Sequence, residues 1–476
     1  MRSNPSSAMR FLLCSSVVYT ASAAVIRAPL EGLLTDGAAG IGAEFESPGF
    51  SLASEDTKCS LANTHALKGK VIAGRTGVNW ELTADTTERA NYVQAEYIIK
   101  GENVKVGSTE AATNGAKVAA DLAKDLIEWK PWTHDDGNGV YVDIEGSKCG
   151  RWKININKAR KPEEVGFQPQ ITAPMPLEAV YSLMEEQVQN PDVKHVLDGT
   201  NYSYMKGLQL VTQQHFQSNP AGIDQTKVTD DVLAFCTLVL SYAKGALGAL
   251  QPGSSPKKLT TFMPRTNFNK IFAHVSSKLP AKGEALWKLF ENLACYTGDG
   301  NQVDAALCTG TADNPTPKPN KFRDLSYGQG EYKCTMYDWI RSLDPDSQAD
   351  DCLTKFDRTI DRSIGKLGTR QEKMFNSQRS VPIFEFRDLD TLQTKDMEGF
   401  MLKVDDAIQK LHREYANPPG PIEQQSKQLA VAVPFIPFAS AMDWLFVTAI
   451  YQKASTAART FSNPWALYHG IRQAQL

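Results

Sequence analysis

The chain has almost no excess of either charge sign: its 476 residues hold 51 lysines and arginines against 54 aspartates and glutamates. Without a basic surplus nothing pulls it toward nucleic acid, and without an acidic surplus it carries no solvating tail. Biased composition is missing too. At 42% hydrophobic, 9% aromatic and 22% charged, the mixture is ordinary globular, which excludes disorder, collagen and coiled coil as the main architecture. A mean hydropathy of −0.35 excludes a polytopic membrane protein. Common catalytic motifs are absent: there is no GxSxG elbow, no Walker glycine–lysine loop, no GxGxxG, and neither CxxC nor HExxH. No internal repeat is visible. The seven histidines are scattered without metal-ligand spacing, and His215, after the run 208–211, is the least easily dismissed.

The N-terminus carries a targeting pattern. Arg2 and Arg10 flank an apolar stretch over 11–19, and Ala21-Ser22-Ala23 supplies small residues for cleavage. This reads as a secretory signal peptide over 1–23, too short to span a bilayer. It predicts a secreted protein whose mature chain starts near Ala24 or Val25. Cysteine usage fits that compartment. Cys14 leaves with the leader, and an odd seven remain. Cys236 lies in the apolar run 232–242 and is expected to be the free thiol. Cys59, Cys149, Cys295, Cys308, Cys334 and Cys352 are expected to form three disulfide bonds, with connectivity open. Asn201-Tyr202-Ser203 is a sequon consistent with a glycoprotein.

Periodicity places strands at 40–46, 78–83, 92–99, 140–144, 168–172 and 383–387. It places helices at 116–129, 177–189, 229–248, 269–278, 283–296 and 396–415. The proline-rich stretch 311–322 reads as an exposed loop. The expected class is α+β, with one domain over 24–416 and a proline-rich linker and apolar tail over 417–476. Residues 428–451 of the tail are long and apolar enough to invite a membrane reading. Pro434, Pro437 and Asp443 disfavour a lipid-exposed span, so membrane contact by the tail is the less favoured alternative to packing on the domain.

Three carboxylate signals stand out. Glu44-Phe45-Glu46 puts two glutamates at i and i+2, on the same face of a strand. Like charges so close repel unless a divalent cation lies between them, and oxygen ligands suit magnesium. Glu96 sits alone in the apolar strand 92–99. Glu385-Phe386-Arg387 repeats the i, i+2 geometry with opposite charges, and an arginine on a strand floor can clamp phosphate or carboxylate. Taken singly, the Glu44 and Glu46 pair reads first as a solvated strand face, and Glu385 with Arg387 has the alternative of an intrastrand ion pair.

Together these pieces resemble the amidoligase branch of the glutamate-cysteine ligase and glutamine synthetase superfamily. Gly42-Ala43-Glu44-Phe45-Glu46 is similar to that family's GxExE strand. Trp80 to Asp85 is similar to its W…D strand, Ala95-Glu96 to its E strand, and Phe384-Glu385-Phe386-Arg387 to its late EFR strand, in the same order. The resemblance implies an antiparallel sheet flanked by helices, a glutamine-synthetase-like catalytic fold with ATP and magnesium on its face. It implies Glu44, Glu46 and Glu96 as metal ligands. Arg387 and Glu385 would sit at the nucleotide, and Arg387 and Arg265 would be the catalytic anion clamps. The activity implied is a carboxylate-amine ligase, unrelated to ATP-grasp enzymes, joining small-molecule or protein carboxylates to amines. Two places depart from the pattern: Gly207-Leu208-Gln209-Leu210-Val211 lacks the family's histidines, and Thr86-Thr87 replaces a glycine-serine pair. A secreted ligase meets little ATP outside cells, so the reading becomes a delivered toxin or effector. The rivals are a non-catalytic secreted toxin or interaction protein, and a hydrolase using Asp135-Asp136 or Glu44 and Glu46 as acid and base.

Overall fold

The computed structural model describes residues 39–416, apart from 87–88, 130–139, 157–160, 190–194, 199–201, 218–223, 250–261, 280–282, 298–301, 313, 328–333 and 345–370. The expected signal peptide, the Asn201 sequon, Asp135-Asp136, Cys352 and the tail over 417–476 lie outside the described residues.

The fold is α+β, built on an eleven-stranded antiparallel sheet. Its strands are β1 (Gly42–Ser54), β2 (Lys70–Gly77), β3 (Trp80–Thr86), β4 (Tyr92–Ile99), β5 (Tyr141–Val142), β6 (Trp152–Ile156), β7 (Gly166–Pro174), β8 (Phe262–Pro264), β9 (Gln371–Lys373), β10 (Ser380–Phe386) and β11 (Leu392–Gln393). The main path runs β9-β10-β7-β1-β4-β3-β2, with β6 also on β1, β8 on β10 and β11 on β7. Among the described residues, six helices reach eleven residues or more: α1 (Gly115–Trp129), α2 (Leu177–Gln189), α3 (Tyr202–Gln217), α4 (Asp230–Ala249), α5 (Glu284–Ala294) and α6 (Met397–Glu414).

Period-two alternation makes the sheet two-faced. Phe45 on β1, Leu82 on β3, Tyr97 on β4 and Ile171 on β7 are buried on one face. That face meets α1 and α6, which also pack on each other. Phe45 and Phe400 of α6 meet edge to face at 6.4 Å, and Phe50 lies 6.1 Å from Trp129 of α1. α1 forms because Val118, Leu122 and Leu126 recur on one buried stripe, and because Asn114 Oδ1 accepts from the Lys117 amide at 3.0 Å. α4 is buried over nearly its whole circumference, packing on α2, α3 and α5.

β1 runs past its expected end at residue 46. Ser47-Pro48-Gly49 does not terminate it but falls in a register shift between Glu46 and Ser51. Before the shift β1 pairs with β7 and β4, and after it with β6 and β4. Proline has no N–H to give to a ladder, so a bulge is where a central strand tolerates it. The stretch 311–322 is not wholly loop: Cys308–Thr311 and Asn314–Pro317 form a hairpin.

Cys59 pairs with Cys149, and Cys295 with Cys308. Cys334 is also disulfide-bonded. Cys236 is the buried free cysteine among the described residues, its thiol pushed well up by burial. No helix among the described residues is long and apolar enough to cross a membrane.

Candidate metal centre and its arginine pair

The other face of the sheet is polar, and register decides what meets on it. Glu46 of β1 lies opposite Glu96 of β4, and Glu44 lies opposite Ile98. On the far side of β1, Glu44 pairs with Gln170 and Glu46 with Gln168 of β7. Thr83 of β3 lies opposite Glu96. Glu385 of β10 lies opposite Thr172 of β7, which itself pairs with Gly42. The glutamates of three strands therefore share one surface.

Glu44, Glu46 and Glu96 each offer a carboxylate oxygen, and these oxygens lie within 4.8 Å of one another. Neighbours hold the arrangement. Thr83 Oγ1 donates to Glu96 at 3.2 Å, and the Gln170 amide donates to Glu46. The bulge directly after Glu46 bends the strand at the point where the cluster ends.

Like charges brought together out of water disfavour their own ionisation. Burial, then Glu385 and Glu46, push the Glu44 carboxyl up to about 7, with Arg265 and Arg387 opposing. Burial, then Glu44, Asp85 and Glu46, push Glu96 up to about 8, opposed by Lys68. Glu46 is raised by burial, with Arg387 pulling it down. Five carboxylates act within this set (Glu44, Glu46, Glu96, Glu385 and Asp85) against three cations (Arg265, Arg387 and Lys68). One divalent ion would supply the missing charge, and an all-oxygen donor set would suit a hard cation such as magnesium or manganese.

The arginines stand behind Glu44. Arg265 follows β8 directly, and its amide donates to the Ile383 carbonyl at 2.8 Å. Its guanidinium pairs with one oxygen of Glu385, while Arg387 pairs with the other at 2.6 Å. Lys68 stands at the opposite rim, 2.7 Å from Asp85. Burial lowers the basicity of its ammonium, but the hydrogen bond and charge of Asp85, with Glu96 and Glu44 beyond, outweigh this and raise it. A cleft of about 400 Å³ opens beside Glu44, lined in part by Gly40, Gly42, Glu81, Lys100, Thr172 and Glu372. A side chain at position 40 would strike the Gly101 carbonyl at 2.0 Å, so glycine is required where the backbones close the end of this cleft.

The structure thus brings together every residue singled out from the sequence for metal or anion chemistry: Glu44, Glu46, Glu96, Arg265, Glu385 and Arg387. It adds Thr83, Gln170, Asp85 and Lys68. Alternation in 168–172 and 78–83 already put Gln170 and Thr83 on predicted strands, but only register shows what they touch. Lys68 sits in a turn and gave no sequence signal. His215 lies in α3, buried against Tyr296, where burial lowers it to about 4.

No protein-family model matches the chain, and no curated protein matches it. Among solved structures, a Vibrio cholerae toxin from the MARTX/VgrG family is 11% identical, with 74% of this chain and 94% of that chain covered, at a TM-score of 0.35. A mutant of a VgrG Vibrio cholerae toxin ACD domain, in complex with ADP and Mn++, is also 11% identical, with 74% and 95% covered, at a TM-score of 0.32. Similarity this slight carries no inference about activity, and the chemistry of the site rests on its own residues.

Proposed function

We propose that this protein is an ATP-dependent carboxylate-amine ligase that holds a divalent cation on Glu44, Glu46 and Glu96. The observation that carries the reading is the convergence of three carboxylates from two strands, with two arginines next to them. Two half-buried glutamates gathered around a buried one are costly unless a cation compensates them. The GxExE and EFR resemblance supplies the reaction class.

In this reading an oxygen of the substrate carboxylate attacks the terminal phosphorus of ATP and ADP leaves. An amine then displaces phosphate from the acyl carbon and gives up a proton, leaving an amide. The bound cation would draw charge off the phosphoryl oxygens. Arg265 and Arg387 would stabilise the negative charge that builds on the transferred group, and Gln170 and Thr83 would hold the glutamates in place. The leader-like N-terminus supports a secreted protein, and with it a delivered toxin or effector that meets ATP inside another cell. The raised carboxyls also favour a second reading, in which Glu44 and Glu96 serve as acid and base for hydrolysis.

Titration of the full chain with Mn2+ followed by ATP tests the proposal. Glu46→Gln, which removes charge but little volume, is expected to lower ATP–magnesium affinity by at least about tenfold, or about 1.4 kcal/mol. A wild-type protein that binds neither metal nor nucleotide overturns the reading, and turnover of glycans without nucleotide establishes the hydrolase in its place.

A further inference from the structure

Lys68 and the two arginines all act on the carboxylate cluster, but they are held differently. The Arg265 and Arg387 side chains are largely enclosed, at 22% and 19% exposure, whereas the Lys68 side chain is 64% exposed. Lys68 comes from the turn that leads into β2. Leu67 before it is buried, and Gly69 after it, at φ 71°, takes the left-handed conformation that reverses the chain. The Gly69 amide donates to the Ala84 carbonyl at 2.8 Å, and Lys70 lies opposite Ala84. Lys68 is thereby brought beside Asp85, the next residue of β3, and its ammonium pairs with that carboxylate at 2.7 Å. Alternation puts Asp85 on the face of Thr83, which lies opposite Glu96. The pair therefore stands at the Glu96 side of the cluster, where charge acts in both directions. Burial alone would lower the basicity of Lys68, but Asp85, Glu96 and Glu44 raise it, and Lys68 is the cation that opposes the rise of Glu96. Around Glu44 that part falls to the two arginines.

We infer that Lys68 is a built-in counter-ion: while no divalent cation is bound, its ammonium balances the Glu96 side of the cluster, and an incoming cation has to displace it. This rests on the metal site of the ligase reading above. A divalent ion on Glu96 and an ammonium beside it repel, and the divalent ion carries twice the charge. Lys68 is the one to yield, because an exposed ion pair is weak and a four-carbon stem can carry the ammonium back into water. The enclosed arginines stay in place. Lys68 thus lowers the affinity for the cation without serving the nucleotide.

The test compares Lys68→Met with wild type in the full chain. Mn2+ affinity is read by electron paramagnetic resonance, and ATP affinity by calorimetry in excess magnesium. Removing the ammonium is expected to raise Mn2+ affinity by at least about threefold at low ionic strength. The gain should shrink in about 1 M salt, where charge acts over only about 3 Å, and should be absent in Lys68→Arg, which keeps the charge. ATP affinity is expected to stay within about twofold of wild type. In wild type, Mg2+ should also move the ammonium resonance of Lys68, assigned by its absence from both variants, to the position of a solvated lysine. Mn2+ affinity of Lys68→Met at or below that of wild type overturns the inference, as does an equal gain in Lys68→Arg or a resonance that Mg2+ leaves unmoved. A loss of ATP affinity of about tenfold in Lys68→Met also overturns it, and makes Lys68 a phosphate contact instead. In each of those cases wild type still binds both ligands, so the ligase reading survives. Wild type and variants that bind neither ligand remove both.

Discussion

Phe45 and Glu46 are adjacent on one strand, yet they belong to opposite energetic regimes. The face that carries Phe45 is closed by α1 and α6, and its side chains gain from leaving water. The face that carries Glu46 gathers carboxylates that are destabilised by the same burial and by one another. One side of the sheet stores stability, and the other spends some of it to hold a charged constellation ready for a ligand. The difference teaches where to look for function in an alternating strand: on the face whose residues oppose folding.

The largest effect that sharpens this contrast lies on the apolar face. Phe45→Ala removes a fully buried ring that meets Phe400, and is expected to cost about 3–5 kcal/mol, read as a lower denaturant midpoint at unchanged slope. A loss below about 1 kcal/mol would show that this face is not the stabilising one.

The next effect separates the two faces by pH. On the helix side, His412 of α6 is buried and neutral. Its Nδ1 accepts from the Phe375 amide at 2.9 Å, and its Nε2 donates to the Pro174 carbonyl at 2.8 Å. Burial lowers it to about 4, below the 6.5 of a free imidazole. The unfolded chain therefore binds the extra proton first. The stability His412 contributes is present above pH 6.5 and lost as pH falls toward 4, by up to about 3 kcal/mol. Glu44 and Glu96 act in the opposite sense. Raised to about 7 and 8, they favour the metal-free fold below about pH 4.5 and lose that contribution as pH rises through those values. Denaturant midpoints of wild type and His412→Gln from pH 4 to 8 isolate the histidine: the wild-type curve should fall more steeply below pH 6.5. Parallel curves would break the assignment.

The smallest expected effect is a gain. Glu96→Gln keeps an acceptor for Thr83 and removes one of three crowded charges. In chelator at pH 8 its melting temperature should rise by about 2–4 °C, and the stabilisation that Mn2+ gives wild type should shrink. A fall in melting temperature would mean that the carboxylates are not in conflict.

Local pattern made much of the scaffold legible. Residues 92–99 and 177–189 form β4 and α2 with the expected bounds, because an aromatic and β-branched run between turns and an apolar 3.6 period after Pro176 each favour one state. α3 went unread because polar Thr212 and His215 complete the buried stripe of Leu208, Val211 and Phe216, which hides its apolar period. β2 went unread because Gly74, at φ 73°, interrupts its alternation and its burial is weak. Within the site, the i, i+2 spacing of Glu44 with Glu46 and of Glu385 with Arg387 showed which pairs share a face. Thr83, Gln170 and Lys68 gave no comparable signal, since a hydroxyl, an amide or a lysine on a half-exposed strand or turn is the commonest of surface features.

What composition and local spacing settled is the balance of charge, the kinds of element, and the co-facing of residues two apart on a strand. These are short-range consequences of backbone geometry. Tertiary structure alone decided that Glu96 lies across from Glu46, that the chain bulges at Pro48, and that Arg265 and Arg387 share one buried carboxylate. Register between strands is set by the packing of the whole buried face, since a slip of one residue turns every side chain over. No segment carries that information alone, so the site forms only when the core does.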